Sequence, residues 1–207
     1  MKFVMKLTPF LFSPFHRVAG ALSLGLGLGA IGVAGLIGAR QGLHFDGVLD
    51  VHVGFRAPWW VFVAEGLIDW ICLAVVLLGA GRVISGTAFR AIDLLGTQAL
   101  ARWPTVLIAL ACLAPGFHRY SAALVKSLTG LKPGVVPTLP DGVDALAFWL
   151  VTVVMLACTV WMVALMWKSF SHCCNVRGGK AVAVFVVGLV VAEVFSKVLI
   201  SALVRGL

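Results

Sequence analysis

Charge is what this chain has least of. Of its 207 residues only 12% are charged, with eight Asp and Glu against sixteen Lys and Arg. A soluble domain carries about one quarter charged residues, so a water-facing surface of ordinary composition cannot be built from this sequence. Apolar residues make up 61% of the chain and the mean hydropathy is +1.08. A soluble fold of this size would have nowhere to hide so much apolar surface. The net charge of +8 invites a nucleic-acid reading. The basic residues, however, sit scattered at the ends of apolar runs, the pattern of membrane orientation signals, and no nucleic-acid partner is expected.

Catalytic spacings are also lacking. No nucleophile–base pair and no second carboxylate set outside the apolar runs stands out, so the sequence reads as non-enzymatic, with no cofactor. One phosphate-loop spacing does occur, Gly27-x-Gly29-x-x-Gly32. It works only between a strand and a helix. Here Phe15-His16-Arg17 precedes it, and no charge interrupts the run from Val18 to Ala39. At ~1.5 Å rise per residue that run crosses the ~30 Å hydrocarbon core as a helix. Gly25, Gly29 and Gly32 recur at i, i+4 and i+7, a small-residue seam expected to pack the first span against its neighbours.

Five such runs can be drawn, at about 18–39, 59–81, 104–125, 145–167 and 181–204. The third meets Pro115-Gly116 and must kink, end early or re-enter. The expected fold is therefore all-α: a polytopic membrane bundle of about five transmembrane helices over residues 18–207, with a short extended or hairpin outer loop. Residues 1–17 carry Phe3, Phe10, Phe12 and Phe15 among basic residues and read as an interfacial segment. Trp59, Trp60, Trp103, Trp149 and Trp167 fall near span ends, as an aromatic belt would.

Lysine and arginine set the orientation. Lys2, Lys6, Arg17, Arg82, Arg90, Arg102, Lys168, Arg177 and Lys180 fall on one side; Arg40, Arg56, Arg119, Lys126, Lys132 and Arg205 on the other. Nine against six places the N-terminus in the cytoplasm and the C-terminus outside, in a cell membrane of the bacterial inner-membrane kind. The lipid bilayer is the first partner, with a second copy or other membrane proteins as further ones.

Cys72, Cys112 and Cys158 lie within apolar runs and read as small hydrophobes. Cys173-Cys174 beside His172 lacks a second ligand pair for zinc. Gly178-Gly179 reads as a turn between spans.

This last loop carries a family resemblance. Lys168-Ser-Phe-Ser-His-Cys-Cys-Asn-Val-Arg-Gly-Gly-Lys-Ala181, with Val187-Gly-Leu-Val-Val-Ala-Glu-Val-Phe-Ser-Lys197, resembles the C-terminal part of bacterial Yip1-domain proteins. Ile92-Asp-Leu-Leu-Gly-Thr-Gln-Ala-Leu-Ala-Arg-Trp-Pro104 resembles the segment opening their central span, and Phe45-Asp-Gly-Val-Leu-Asp-Val-His52 is a weaker match. The resemblance covers about two-thirds of the chain, mainly from Ala88 onward, and implies a five-span layout with an inner N-terminus. It carries no catalytic signature. Eukaryotic relatives are associated with small GTPases and vesicle traffic through a longer cytosolic N-terminal domain that has no counterpart in this sequence, so that role is not carried over.

The informative residues are the charges inside the runs. Glu65 and Asp69 share a face at i, i+4, ~9 and ~15 Å from Trp59; Glu193 and Lys197 form a second i, i+4 pair at a similar level. Arg119 reaches the same level if the third run continues as a helix. Such charges turn inward to partners or water. They form either an ion-pair network inside a membrane-organising or partner-binding scaffold, or a transport or proton path lined by Glu65, Asp69 and Glu193. Finally, the outer loop LHFDGVLDVHVGF brings His44, Asp46, Asp50 and His52 to one face if extended. Two imidazoles and two carboxylates are a possible divalent-cation set. The Asp46-Gly47 turn signal suits a hairpin cap that needs no metal, and no metal is assigned.

Overall fold

A computed structural model describes residues 14–16, 18–129 and 142–206. It is the expected polytopic helical bundle. The helices are α1 (Gly20–Gln41), α2 (Trp59–Ile84), α3 (Ala91–Leu100), α4 (Pro104–Ala111), α5 (Pro115–Thr129), α6 (Gly142–Cys173) and α7 (Gly178–Arg205). Two short antiparallel strands, β1 (Leu43–His44) and β2 (His52–Val53), pair Leu43 with Val53 and His44 with His52. Among the described residues, five helical stretches are long and apolar enough to cross a membrane: α1, α2, α3 with α4, α6 and α7. The protein is an integral membrane protein. Of the interfacial stretch, residues 1–13 and 17 lie outside the described residues; Phe15 is buried in the core with Leu73, Leu77 and Leu94.

The third span is Ala91–Ala111, not 104–125. A hydropathy reading passes over 91–103 because it holds Asp93, Thr97, Gln98 and Arg102. Thr97, Gln98 and Arg102 are buried in the bundle, so their polarity never meets lipid. Pro104 does not open the span. It begins a second helix after a one-turn break at Ala101–Trp103, where its missing N–H costs nothing. Residues 115–129 form the separate helix α5, with Phe117 and Tyr120 buried and Arg119 and Lys126 outward. Trp103 is consequently a mid-span residue, edge-on to Trp161 at 4.7 Å, and not part of an aromatic belt. Trp59, Trp60 and Trp149 do stand exposed at span ends.

The glycine seam also lies on another face. Among the described residues, nothing from another element approaches within 4 Å of where a Cβ would stand on Gly25, Gly29 or Gly32. The packed face of α1 is Ser23, Gly27, Ile31, Ala34, Gly35 and Gly38. A Cβ on Gly27 would run into the backbone at Ala99–Leu100 of α3, and one on Gly35 into Phe62 and Val63 of α2. Gly27 stands ~200° around the helix from both Gly25 and Gly29, so a run rich in glycine offers two small-residue faces. Only tertiary packing selects between them.

Candidate functional site

Most of the charges converge around the segment between α1 and α2. After β1 the chain does not continue as a flat hairpin. Gly47, Val48 and Leu49 form a bend, and Val48 is buried in the core with Leu73, Met162 and Phe185. Irregular backbone at this depth is tolerated only when protein covers it and satisfies its polar groups. Leu49 N–H donates to Glu193 Oε2 at 3.0 Å, and the Val48 carbonyl stands 3.5 Å from Arg102 Nη2. Gly47 leaves the room: a Cβ there would collide with the Glu193 carboxylate. Residues 45–51 are a loop folded into the bundle and pinned by charged side chains from two spans.

Asp69 lies below the loop. Arg102 Nη2 donates to its Oδ2 at 3.1 Å, with the two side chains 2% and 0% exposed. Asp69 therefore pairs with neither Lys197 nor Arg119. Arg102 is buried in the bundle and is not a loop charge, which leaves eight basic residues against six for the orientation. Arg119 is no member of the buried network. It is 63% exposed on α5 and grips Asp144 through Nε at 2.8 Å and Nη2 at 2.6 Å. Lys197 reaches up to the loop, 2.6 Å from Asp50 Oδ2 and 3.4 Å from Glu193 Oε1.

Glu65 has a partner that its place in the sequence does not reveal. His44 Nδ1 is 2.8 Å from Glu65 Oε1, and His44 Nε2 is 2.8 Å from the Phe55 carbonyl, with both side chains 1% exposed. A carbonyl only accepts, so Nε2 carries hydrogen and donates to it. One further proton then lies between Nδ1 and Oε1, on the imidazole or on the carboxyl. Burial pulls the His44 pKa down, but the Glu65 hydrogen bond and the Phe55 carbonyl outweigh it and the net shift is upward. His44 also stacks on His52, with ring centroids 5.6 Å apart. His52 Nδ1 faces Asp46 Oδ1 at 3.1 Å; that contact raises the His52 pKa and lowers that of Asp46.

These groups border a cavity of about 310 Å³ between the loop, α2 and α7, lined by His44, Asp46, His52, Glu65 and Lys197. Of the four loop candidates, the structure draws Asp46, Asp50 and His52 together, with one donor atom from each within 4.8 Å of the others. His44 is left out of that grouping, both its ring nitrogens being engaged.

Across the bundle the remaining polar groups serve packing. Gln98 Nε2 donates to the Met166 carbonyl at 3.0 Å, and Thr97 Oγ1 shares a hydrogen with Ser169 Oγ at 2.6 Å. All five cysteines are free; burial pushes the Cys174 thiol up to about 12, where it stays protonated and a poor metal ligand. The turn between the last two spans falls at Cys174–Asn175, with Asn175 at φ +50°, and not at Gly178-Gly179, which open α7. Arg102 was legible only as a charge next to Trp103-Pro104; the signal that could have found it is the buried acid it must neutralise. No protein-family model, curated protein or solved structure matches this chain.

Proposed function

We propose that this protein is a non-enzymatic, multi-pass membrane protein of the Yip1-domain kind, a membrane-organising or partner-binding scaffold in a bacterial inner membrane with its N-terminus in the cytoplasm. The observation that supports a scaffold is how the intramembrane charges are used. Asp69 is matched to Arg102, Glu193 to the Leu49 amide and Lys197, and Glu65 to His44. Matched charges of this sort fix one arrangement of a loop and three helices; they stabilise a shape. Resemblance in residues 88–197 supports the family reading, and the eight-to-six balance of basic residues supports the orientation.

A second reading, a proton-linked channel or small transporter, is favoured by one atom. Glu65 lines the 310 Å³ cavity, and its Oε2 is buried with no hydrogen-bond partner among the described residues. Proton flux into sealed proteoliposomes separates the two. The scaffold reading expects the same slow leak for the wild type, for Glu65→Gln and for protein-free vesicles. Flux above the protein-free leak that Glu65→Gln abolishes would replace it with the transport reading.

A further inference from the structure

The ends of α1 at Gln41 and of the third span at Ala111, and the starts of α2 at Trp59 and α5 at Pro115, share one face of the bundle. Exposed Trp59, Trp60 and Trp149 mark this face as the level of the lipid headgroups. Basic side chains collect there. A cavity of about 520 Å³ is lined by Arg40, Gln41, Arg56, His118 and Arg119 among others. Three of the six basic residues counted on this side thus meet at one place. Arg119 is committed to Asp144. Arg40 and Arg56 are exposed and have no carboxylate partner among the described residues. The positive end of α5 adds to them, since Pro115 borders the cavity and the first turn holds no acid. Guanidinium groups beside a helix N-terminus suit a phosphate.

His118 leads from this cavity to a second one. It lines both, and its Nε2 is 3.0 Å from Gln41 Oε1. Gln41 Nε2 in turn donates to the Ala109 carbonyl at 2.8 Å, which fixes the imidazole at the boundary. The second cavity is a groove of about 1110 Å³ between α5, α6 and residues 49–54, with Phe117, Val125, Phe148, Met155 and Leu156 along it. Its hydroxyls are already used. Ser121, Thr152 and Thr159 donate to carbonyls one turn back in their own helices, at 2.7, 2.8 and 2.9 Å. Asp50 is tied to Lys197, and His52 faces Asp46. Lys126 is left as a lining charge without a carboxylate partner among the described residues. Leu156 is 66% exposed on a membrane span, so the groove opens to lipid. Ligand cavities of ~300–1,000 Å³ are mostly apolar with a few polar groups that fix orientation, and a groove of this size and lining takes a hydrocarbon chain.

We infer that these two cavities form a binding site for one anionic phospholipid, with an acyl chain in the groove between α5 and α6 and the headgroup phosphate at Arg40 and Arg56. Basic pockets between membrane helices hold anionic headgroups in this way. The unpaired positive charge selects anionic over zwitterionic lipid, and the apolar groove selects a lipid over free phosphate. The inference uses only the membrane location and stands whichever of the two functional readings holds.

Native mass spectrometry tests it, on full-length protein delipidated in neutral detergent and offered equal amounts of phosphatidylglycerol and phosphatidylcholine. One retained phosphatidylglycerol per chain is expected, favoured over phosphatidylcholine by about tenfold or more. Arg40→Gln/Arg56→Gln should bring the ratio close to one. Neither arginine leaves a stranded partner, so the lipid-free Tm should stay at the wild-type value; if it falls, Arg56→Gln alone replaces the double variant. Ala122→Trp fills the groove and should weaken retention about tenfold. If its lipid-free Tm shows misfolding, Leu156→Trp takes its place. Arg177→Gln/Lys180→Gln, at the opposite ends of the spans, should match the wild type, and glycerol phosphate in large excess should not displace the lipid. No preference for phosphatidylglycerol would overturn the site, as would a preference that survives loss of the arginines or retention unchanged by a filled groove. Equal loss in Arg177→Gln/Lys180→Gln would assign the preference to net charge, and displacement by glycerol phosphate would assign the site to a soluble phosphate; either result overturns the inference.

Discussion

Glu193, deep in the last span, accepts the backbone N–H of Leu49 at 3.0 Å. One carboxylate thus satisfies a part-buried amide of the loop that folds into the bundle. A buried amide without an acceptor costs about 1–3 kcal/mol, so the side chain and the loop conformation depend on each other.

Removing that acceptor should loosen the loop before it loosens the bundle. In Glu193→Leu, amide hydrogen exchange over residues 45–51 is expected to accelerate strongly, while α2 and α6 keep their protection. Glu193→Gln retains an acceptor oxygen and should exchange like the wild type. Unchanged protection in Glu193→Leu would mean that Leu49 is held by something else.

The face chosen by α1 gives a clean contrast between two glycines one half-turn apart. Gly27→Leu drives a side chain into the Ala99–Leu100 backbone and should cost about 3 kcal/mol or more, with a large loss of folded protein. Gly29→Leu meets open space and should accumulate normally. Equal yields of the two variants in a detergent-stability assay would refute the packing of α1 on α3.

This contrast shows what a sequence can and cannot reveal here. Span number follows from the length of apolar runs, a one-dimensional property, and four of the five runs lie where the helices do. The third run fails because Thr97, Gln98 and Arg102 are polar yet buried, and hydropathy cannot see partners. The same blindness affects the site. Glu65 and Asp69 announce themselves as acids in an apolar run, but their partners, His44 and Arg102, are 21 and 33 residues away. Only the fold brings them together. Asp46, Asp50 and His52 are close in the chain, so their grouping was legible from the loop itself; the exclusion of His44 was not, since it depends on Glu65 and Phe55.

The proposed orientation rests on the basic residues and can be read by labelling. In a cysteine-free background, a cysteine at Arg56, exposed on the loop side, should react with membrane-impermeant thiol reagents in intact cells. A cysteine at Gly86, exposed in the loop between α2 and α3, should react only with permeant ones. The reverse pattern would invert the topology.

Stability should depend on pH through the loop histidines. His44 and His52 have folded pKa values raised above the usual 6.5, so their contribution is complete below that value and is lost as pH rises through the folded one. Asp46 is shifted the other way and contributes above its ordinary value of 3.8, with loss only as pH falls through its lowered one. With chelator present, the Tm of the wild type should decline as pH rises above about 6.5, and His44→Asn should flatten that decline. A wild-type Tm that is level or rises over this range would contradict the pairing of these imidazoles with Glu65 and Asp46.

The central claim is that the intramembrane charges hold the bundle together in pairs, and the Asp69–Arg102 contact tests it most directly. A double-mutant cycle on unfolding in detergent is the measurement. Arg102→Met alone strands a buried carboxylate and should cost about 3–5 kcal/mol, whereas Arg102→Met/Asp69→Asn should recover much of that loss. Lys197→Met with Asp69→Asn, whose side chains do not pair, should be additive within about 0.5 kcal/mol. The account requires a large coupling for the first pair beside near-additivity for the second; a coupling near zero between Asp69 and Arg102 would contradict it.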